Sequence, residues 1–455
     1  MTMAPELPTA AIVTDPDIKA GYAVDSSLGA HCDGDFTLVR ARDLDDVVTV
    51  LRHAQATRTP VVPQGARTGL AGGSVAIPGG IVLNLEGLDT VTEIDPIEGI
   101  AVCGPGTINA DLKAAAAQQG LWYAPDPASS GSCTIGGNVA TNAGGLCCVK
   151  YGVTADHIRG LQVVLASGEV ITTGRRTSKG VAGLDLTGLF VGSEGTLGVV
   201  TEVVARLIPR PEPPLTALAI FDSMAALTRA IVALRLEPHR PSLIEVLDSP
   251  TMAAIQALGD YGYPAEATAV LLVQSDRAGH ATEDIARYAQ VLEAAGASDL
   301  ATADDPQEAE LLMGGRRMLN PGLEAKGPRF LEDICVPIVR LGDLIEAAHR
   351  VGAAHGIEVT TSGHGGDGNL HPSFFFDPEV PGGPGSRAAA EAAFGELVTI
   401  ALAMGGTISG EHGIGTLKAR WLEQEVGAAS LQRQRDLKHL FDPTEILNPG
   451  RVYWS

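Results

Sequence analysis

A chain of 455 residues is too long for one hydrophobic core, so two or three domains are expected. Hydrophobic residues at 45% and charged residues at 19% describe a folded protein and exclude a disordered one. With 54 acidic against 32 basic residues the formal charge is −22, a field that disfavours nucleic acid and anionic membrane faces as partners. No apolar run approaches the roughly 20 residues that span a bilayer. The N-terminus lacks the basic and apolar regions of a signal peptide. Cys32, Cys103, Cys133, Cys147, Cys148 and Cys335 form no CxxC pair, so neither a zinc ribbon nor an iron–sulphur cluster is expected. A reducing, cytoplasmic setting is the default expectation.

Along the chain, Asp43 caps a segment with Leu44, Val47, Val48, Leu51 and Ala54 at helical spacing, followed by a strand-like 60–62. Segments 81–85 and 100–102 read as buried strands, and 108–119 as a helix stopped by Gly120. Segments 161–165 and 169–172 read as a hairpin turning at Ser167-Gly168. The proline-rich stretch 209–214 breaks any regular element and marks a boundary. Beyond it, strands are expected at 215–221, 243–247 and 269–273, with helices at 224–236, 251–258 and 280–295. That pattern predicts an α+β region, an antiparallel sheet with helices on one face. From Pro306 onward helices are expected to dominate, interrupted by two Gly-rich segments. The expected division is 1–210, 211–410 and a C-terminal 411–455 that returns to the first domain.

Two Gly-rich stretches in the first half have the composition of anion-binding loops. One is Pro63-Gln64-Gly65-Ala66-Arg67-Thr68-Gly69-Leu70-Ala71-Gly72-Gly73-Ser74; the other runs from Pro125 through Gly131 to Gly145. Small residues let backbone N–H groups approach phosphate oxygens. Neither stretch is a P-loop or a GxGxxG opening a helix, which disfavours triphosphate hydrolysis and a standard Rossmann site. A lone Gly run is most simply a turn, but Asn138, Thr141 and Asn142 are costly to bury without partners.

These stretches, with Asp185-Leu186 and the run from Leu189 through Gly192-Ser193-Glu194-Gly195-Thr196 to Thr201, resemble the vanillyl-alcohol-oxidase-type FAD-binding family. Within it the chain is similar to the D-2-hydroxyacid dehydrogenase branch (D-lactate, glycolate and D-2-hydroxyglutarate dehydrogenases). The resemblance runs from about residue 35 to the C-terminus. It implies an α+β chain: a split FAD-binding fold of two subdomains, an α+β cap that closes over the flavin, and a helical C-terminal segment. It also implies that Pro63, Gln64, Gly65, Ala66, Arg67, Thr68 and Gly69 bind the FAD pyrophosphate. Pro127, Gly131, Ile135, Gly136, Asn138, Thr141, Ala143, Gly144 and Gly145 would line the rest, Val200 would meet the adenine end through its backbone, and Asn448 would return to the flavin, where a plain turn is the alternative. Cys133 lies inside the second stretch, but this branch usually holds FAD non-covalently, so no tether is expected.

In the second half, Gly363-His364-Gly365-Gly366-Asp367-Gly368-Asn369-Leu370-His371 is too rich in glycine for a helix. In a straight strand residues an odd number apart face opposite ways, so His364 and His371 converge only across a turn. Further on comes Ser409-Gly410-Glu411-His412-Gly413. Two histidines and a carboxylate suit a divalent cation, zinc first, with manganese or iron(II) as alternatives. Neighbours Glu411 and His412 point to opposite sides of an extended backbone, so one can ligate while the other faces substrate; four ligands around a structural ion is the other arrangement. The resemblance implies that His364, His371 and Glu411 hold the metal, that His412 is the catalytic base, and that Arg316 anchors the substrate carboxylate, leaving Arg317 solvated.

Branch members that accept a second substrate carboxylate carry a lysine where this chain has Leu331 and an asparagine where it has Ser373. The expected substrate is therefore a D-2-hydroxyacid with one carboxylate, such as D-lactate or a longer analogue. D-2-hydroxyglutarate, an oxidase using oxygen, a non-catalytic FAD-binding subunit and a metal-dependent hydrolase are the alternatives. The expected electron acceptor is a separate protein, a quinone or oxygen, and a homodimer is left open.

Overall fold

The computed structural model describes residues 5–453, which separate into two compact units. One takes the chain up to Gly145, Gly152–Arg210 and the segment from Glu411 onward; the other takes Leu146–Tyr151 and Pro211–Gly410. Leu146–Tyr151 is thus an excursion that packs with the second unit, in the middle of the predicted first domain. Among the described residues no helix is long and apolar enough to cross a membrane.

In the first unit, strands Thr37–Arg40, Ile81–Asn84 and Val61–Gln64 run parallel, with Ile12–Val13 antiparallel at the edge. The Asp43 side chain caps helix Leu44–Thr57 by accepting from the Asp46 N–H. That helix buries Val47, Val50, Leu51 and Ala54 against Val39, Val61, Ile81 and Leu83. Each buried branched side chain contributes about 1.5–3 kcal/mol. The strands end together, with Gln64 paired in register with Asn84. The first Gly-rich stretch leaves from this carboxyl edge, where parallel sheets bind ligands. A five-stranded antiparallel sheet follows, in the order Val91–Asp95, Ile100–Cys103, Val199–Arg206, Ile158–Val164, Val170–Gly174.

The second Gly-rich stretch is not wholly loop. Ile135–Thr141 forms a helix, N-capped by the Thr134 side chain on the Gly137 N–H and closed by Asn142 in the left-handed region. Gly136 is required there, because a Cβ would sit 2.5 Å from the Pro105 side chain.

The second unit is built on one antiparallel sheet. Its order is Asp299–Thr302, Leu215–Phe221, Ala269–Ser275, Leu243–Asp248, Val359–His364, Asn369–Phe375, Arg329–Leu331, with Ile334–Cys335 also pairing to Asn369–Phe375. The expectation of helices on one face is corrected. Every residue of Leu243–Asp248 and Ala269–Ser275 is buried, so both faces are covered. Leu243, Leu247, Val270 and Leu272 pack with Met252, Ile255, Leu319 and Leu323 of helices Ser249–Gln256 and Leu319–Lys326. Ile244 and Val246, which alternate to the other face, lie with Ile231 of helix Met224–Arg235 around Gly365. The His-bearing Gly-rich segment is also more regular than expected: it is a hairpin within this sheet, next to Leu243–Asp248, rather than an interruption between helices.

Candidate active site

The hairpin settles how two histidines seven residues apart can share a face. In the antiparallel register His364 sits opposite Asn369, and His371 lies two residues beyond Asn369 on the same strand face. The rings meet edge to face with centroids 5.0 Å apart, and their Nε2 atoms are 3.3 Å apart.

Glu245 extends the row. It is paired in register with His364 and fully buried. One carboxylate oxygen lies 2.5 Å from His364 Nδ1, and the other accepts from Arg316 Nε at 2.7 Å. Burial alone would push this carboxyl up, but His364 and Arg316 outweigh it and hold it below the ordinary glutamate value. Arg316 lies on the short helix Gly314–Arg317 with its side chain 17% exposed. Its neighbour Arg317 turns outward to Glu310 with 52% exposure. The sequence reading missed Glu245 altogether. Its one signal was a carboxylate inside the apolar run 243–247, where an unpaired charge is not tolerated.

The Asp333 carboxylate accepts from Ser409 Oγ at 2.6 Å and from the Gly410 N–H at 3.0 Å, fixing the chain one peptide bond before Glu411. His364 and His371 both belong to the second unit, whereas Glu411 opens the C-terminal segment of the first. The two histidines fit a divalent cation. Two imidazole nitrogens at about 2.05 Å from a tetrahedral zinc stand about 3.3 Å apart, the spacing seen here. His412, part-buried, follows in a bend. That bend is held by Glu194, whose carboxylate accepts from the Ile414 and Gly415 N–H groups at 2.7 and 2.8 Å. Burial pushes the Glu194 carboxyl up, and those two donors oppose the shift.

The predicted cofactor residues gather in the first unit. Gly65 abuts the Thr134 cap so closely that a Cβ would lie 2.2 Å from its Oγ1, bringing the two Gly-rich stretches together. Arg67, at φ 62°, pairs with Glu86 at 3.0 Å and lies over the Tyr22 ring. Asn138 spends its amide on Asn109 and Cys133, and Thr141 bonds back to Gly137 O. Gly69 and Gly131 face open space. Val200 adjoins a register shift that frees backbone groups from the ladder. Asn448, at φ 44°, donates to Glu194 O at 2.7 Å and Gly73 O at 3.2 Å, tying three distant segments. Its Oδ1 and that of buried Gln64 (Oε1) lack partners. Buried acceptors without donors fit a ligand rich in hydroxyl and N–H groups, which FAD is.

Two family descriptions match: "FAD binding domain" over residues 37–174 and "FAD linked oxidases, C-terminal domain" over residues 210–452. The chain belongs to the FAD-linked oxidase family. Glycolate oxidase subunit GlcD of Bacillus subtilis is 38% identical over 418 residues, 91% of this chain and 88% of that protein. D-lactate dehydrogenase of Archaeoglobus fulgidus is 35% identical over 423 residues, 92% of this chain and 91% of that one. Among solved structures, p-cresol methylhydroxylase with substrate bound superposes with TM-score 0.77 at 17% identity, covering 99% of this chain and 95% of that one. 4-Ethylphenol oxidase from Gulosibacter chungangensis gives 0.76 at 18%, covering 98% and 95%. The fold is therefore the vanillyl-alcohol-oxidase type, and this FAD-linked oxidase is an oxidoreductase whose cofactor is FAD.

Proposed function

We propose that this enzyme oxidises a D-2-hydroxyacid with one carboxylate, such as D-lactate or a longer analogue, to the 2-oxoacid. The observation that carries the reading is the row Glu245, His364, His371 on one sheet face with Arg316 joined to it. A cation site and a guanidinium side by side suit a hydroxyl next to a carboxylate. The relatives' names, glycolate oxidase subunit and D-lactate dehydrogenase, support the substrate class and its hand.

The residues divide the work. Arg316 binds the substrate carboxylate through its terminal nitrogens. His364, His371 and Glu411 hold a divalent cation, zinc or else manganese or iron(II), and His412 takes the hydroxyl proton on its imidazole. The 63–69 and 127–145 stretches, Val200 and Asn448 hold FAD without a covalent bond. When bound, FAD supplies the acceptor for the C2 hydride and the cation supplies Lewis acidity toward the hydroxyl. Electrons then pass to a separate protein, a quinone or oxygen. The proposed setting is the reducing cytoplasm.

Product analysis tests this. D-lactate incubated with the enzyme and an artificial electron acceptor should give a 2-oxoacid, with L-lactate and D-2-hydroxyglutarate giving far less. Equal turnover of both hands, or no 2-oxoacid from any 2-hydroxyacid, contradicts it.

A further inference from the structure

We infer that Glu245 is a positioning residue that yokes the metal ligand His364 to the substrate-binding Arg316 through its two carboxylate oxygens. The inference rests on the roles proposed above for those two partners. It starts from a cost. Glu245 is fully buried in a strand whose apolar residues, Leu243, Ile244, Val246 and Leu247, already satisfy the core. Burying a carboxylate there is unfavourable by several kcal/mol unless it is paired, and an apolar residue would serve the strand as well.

The pairing dictates two orientations at once. A carboxylate only accepts, so the 2.5 Å contact to His364 Nδ1 places the imidazole proton on Nδ1. That leaves the lone pair on Nε2, the atom that faces His371 Nε2 at 3.3 Å. A carboxylate behind a ligating histidine fixes its tautomer and ring angle and raises its basicity. On the other side, Glu245 occupies Arg316 Nε at 2.7 Å. Among the described residues the terminal nitrogens of Arg316 make no hydrogen bond, so the fork remains for a carboxylate. One side chain thereby fixes the spacing between the cation site and the carboxylate anchor, the two points that grip a 2-hydroxyacid.

Glutamine has nearly the same shape but one acceptor and one donor end. If its oxygen takes Arg316, its NH2 faces Nδ1 and drives the imidazole proton to Nε2, where the cation should sit. If its oxygen takes His364, its NH2 opposes Arg316 Nε and turns the fork. Aspartate keeps the charge but is one methylene short and reaches a single partner.

The test uses the FAD-loaded protein stripped with a chelator and titrated calorimetrically with Zn²⁺, for wild type, Glu245→Gln and His371→Ala. Wild type should bind one Zn²⁺. Glu245→Gln, with FAD content and melting temperature retained, should bind it about 10–100-fold more weakly. With excess Zn²⁺, kcat of Glu245→Gln should recover while KM for the better of D-lactate and glycolate stays raised, a split that a merely structural role does not produce. Wild-type Zn²⁺ affinity together with wild-type KM in Glu245→Gln overturns the yoke alone. Absence of Zn²⁺ binding by wild type, or unchanged binding by His371→Ala, removes the metal reading and the yoke with it. Should Glu245→Gln not accumulate as FAD-loaded protein, Glu245→Asp carries the same test: Zn²⁺ affinity or KM must suffer, and sparing both overturns the inference.

Discussion

Leu331 and Ser373 stand directly opposite each other on adjacent antiparallel strands, and Ser373 lies two residues beyond His371 on the same strand face. Ser373 is fully buried and its Oγ has no partner. Side chains at opposed positions are close enough to act on one ligand group. A leucine and a short hydroxyl there offer no charge to pair with a second carboxylate beside the proposed cation site. The double variant Leu331→Lys, Ser373→Asn should therefore raise kcat/KM for D-2-hydroxyglutarate by about tenfold or more, the worth of one charge-assisted hydrogen bond, and lower it for D-lactate. Steady-state kinetics with both acids checks this. No gain with D-2-hydroxyglutarate means that the pair does not face the substrate tail.

Arg316 and Arg317 are neighbours with opposite fates, one joined to buried Glu245 and the other on exposed Glu310. Arg316→Met should lower kcat/KM by about 100-fold or more, from the loss of hydrogen bonds to a charged group worth about 1.5–3 kcal/mol each. Arg317→Met should change it by less than about threefold, because an exposed ion pair contributes about 0–1 kcal/mol. The reverse ranking would exchange their roles.

His412→Ala should slow flavin reduction by about 10²–10⁴, the usual worth of a general base, with FAD content unchanged. Stopped-flow reduction under nitrogen reads it. Fast reduction in this variant removes His412 as the base.

Stability carries its own pH signature. Buried Asp248 accepts from the Thr251 and Thr361 N–H groups and pairs with His349 at 2.7 Å. The hydrogen bond to Asp248 raises the His349 pKa, against the opposing effect of burial. Because the folded value lies above the ordinary 6.5, the pair's stabilisation is complete below pH 6.5 and is lost as pH rises through the raised pKa. Melting temperature should fall over that window in wild type, and His349→Gln should flatten the fall. An unchanged slope assigns it to other groups.

Much of the fold was legible where a local rule coincides with the tertiary outcome. Asp43 caps its helix, and the apolar runs at 215–221 and 269–273 are strands, because capping and hydrophobic periodicity act within a few residues. The helices on both faces of the sheet were not legible, since a continuous apolar run does not state what covers each side. The helix Ile135–Thr141 was hidden by its glycines, which Gly136 owes to Pro105, a neighbour distant in sequence. At the candidate site the histidines and Arg316 stood out through Gly-rich flanks and resemblance. Glu245 did not, because its meaning comes only from the cross-strand register with His364.

The central claim is cation-assisted oxidation of a D-2-hydroxyacid by the flavin. Its most direct test is anaerobic bleaching of the bound flavin by D- and L-2-hydroxyacids, before and after treatment with a chelator. The account predicts rapid bleaching by D-lactate or a longer D-monocarboxylate, lost with chelator and restored by Zn²⁺ or Mn²⁺. Bleaching that survives complete metal removal, or none with any 2-hydroxyacid, would contradict it.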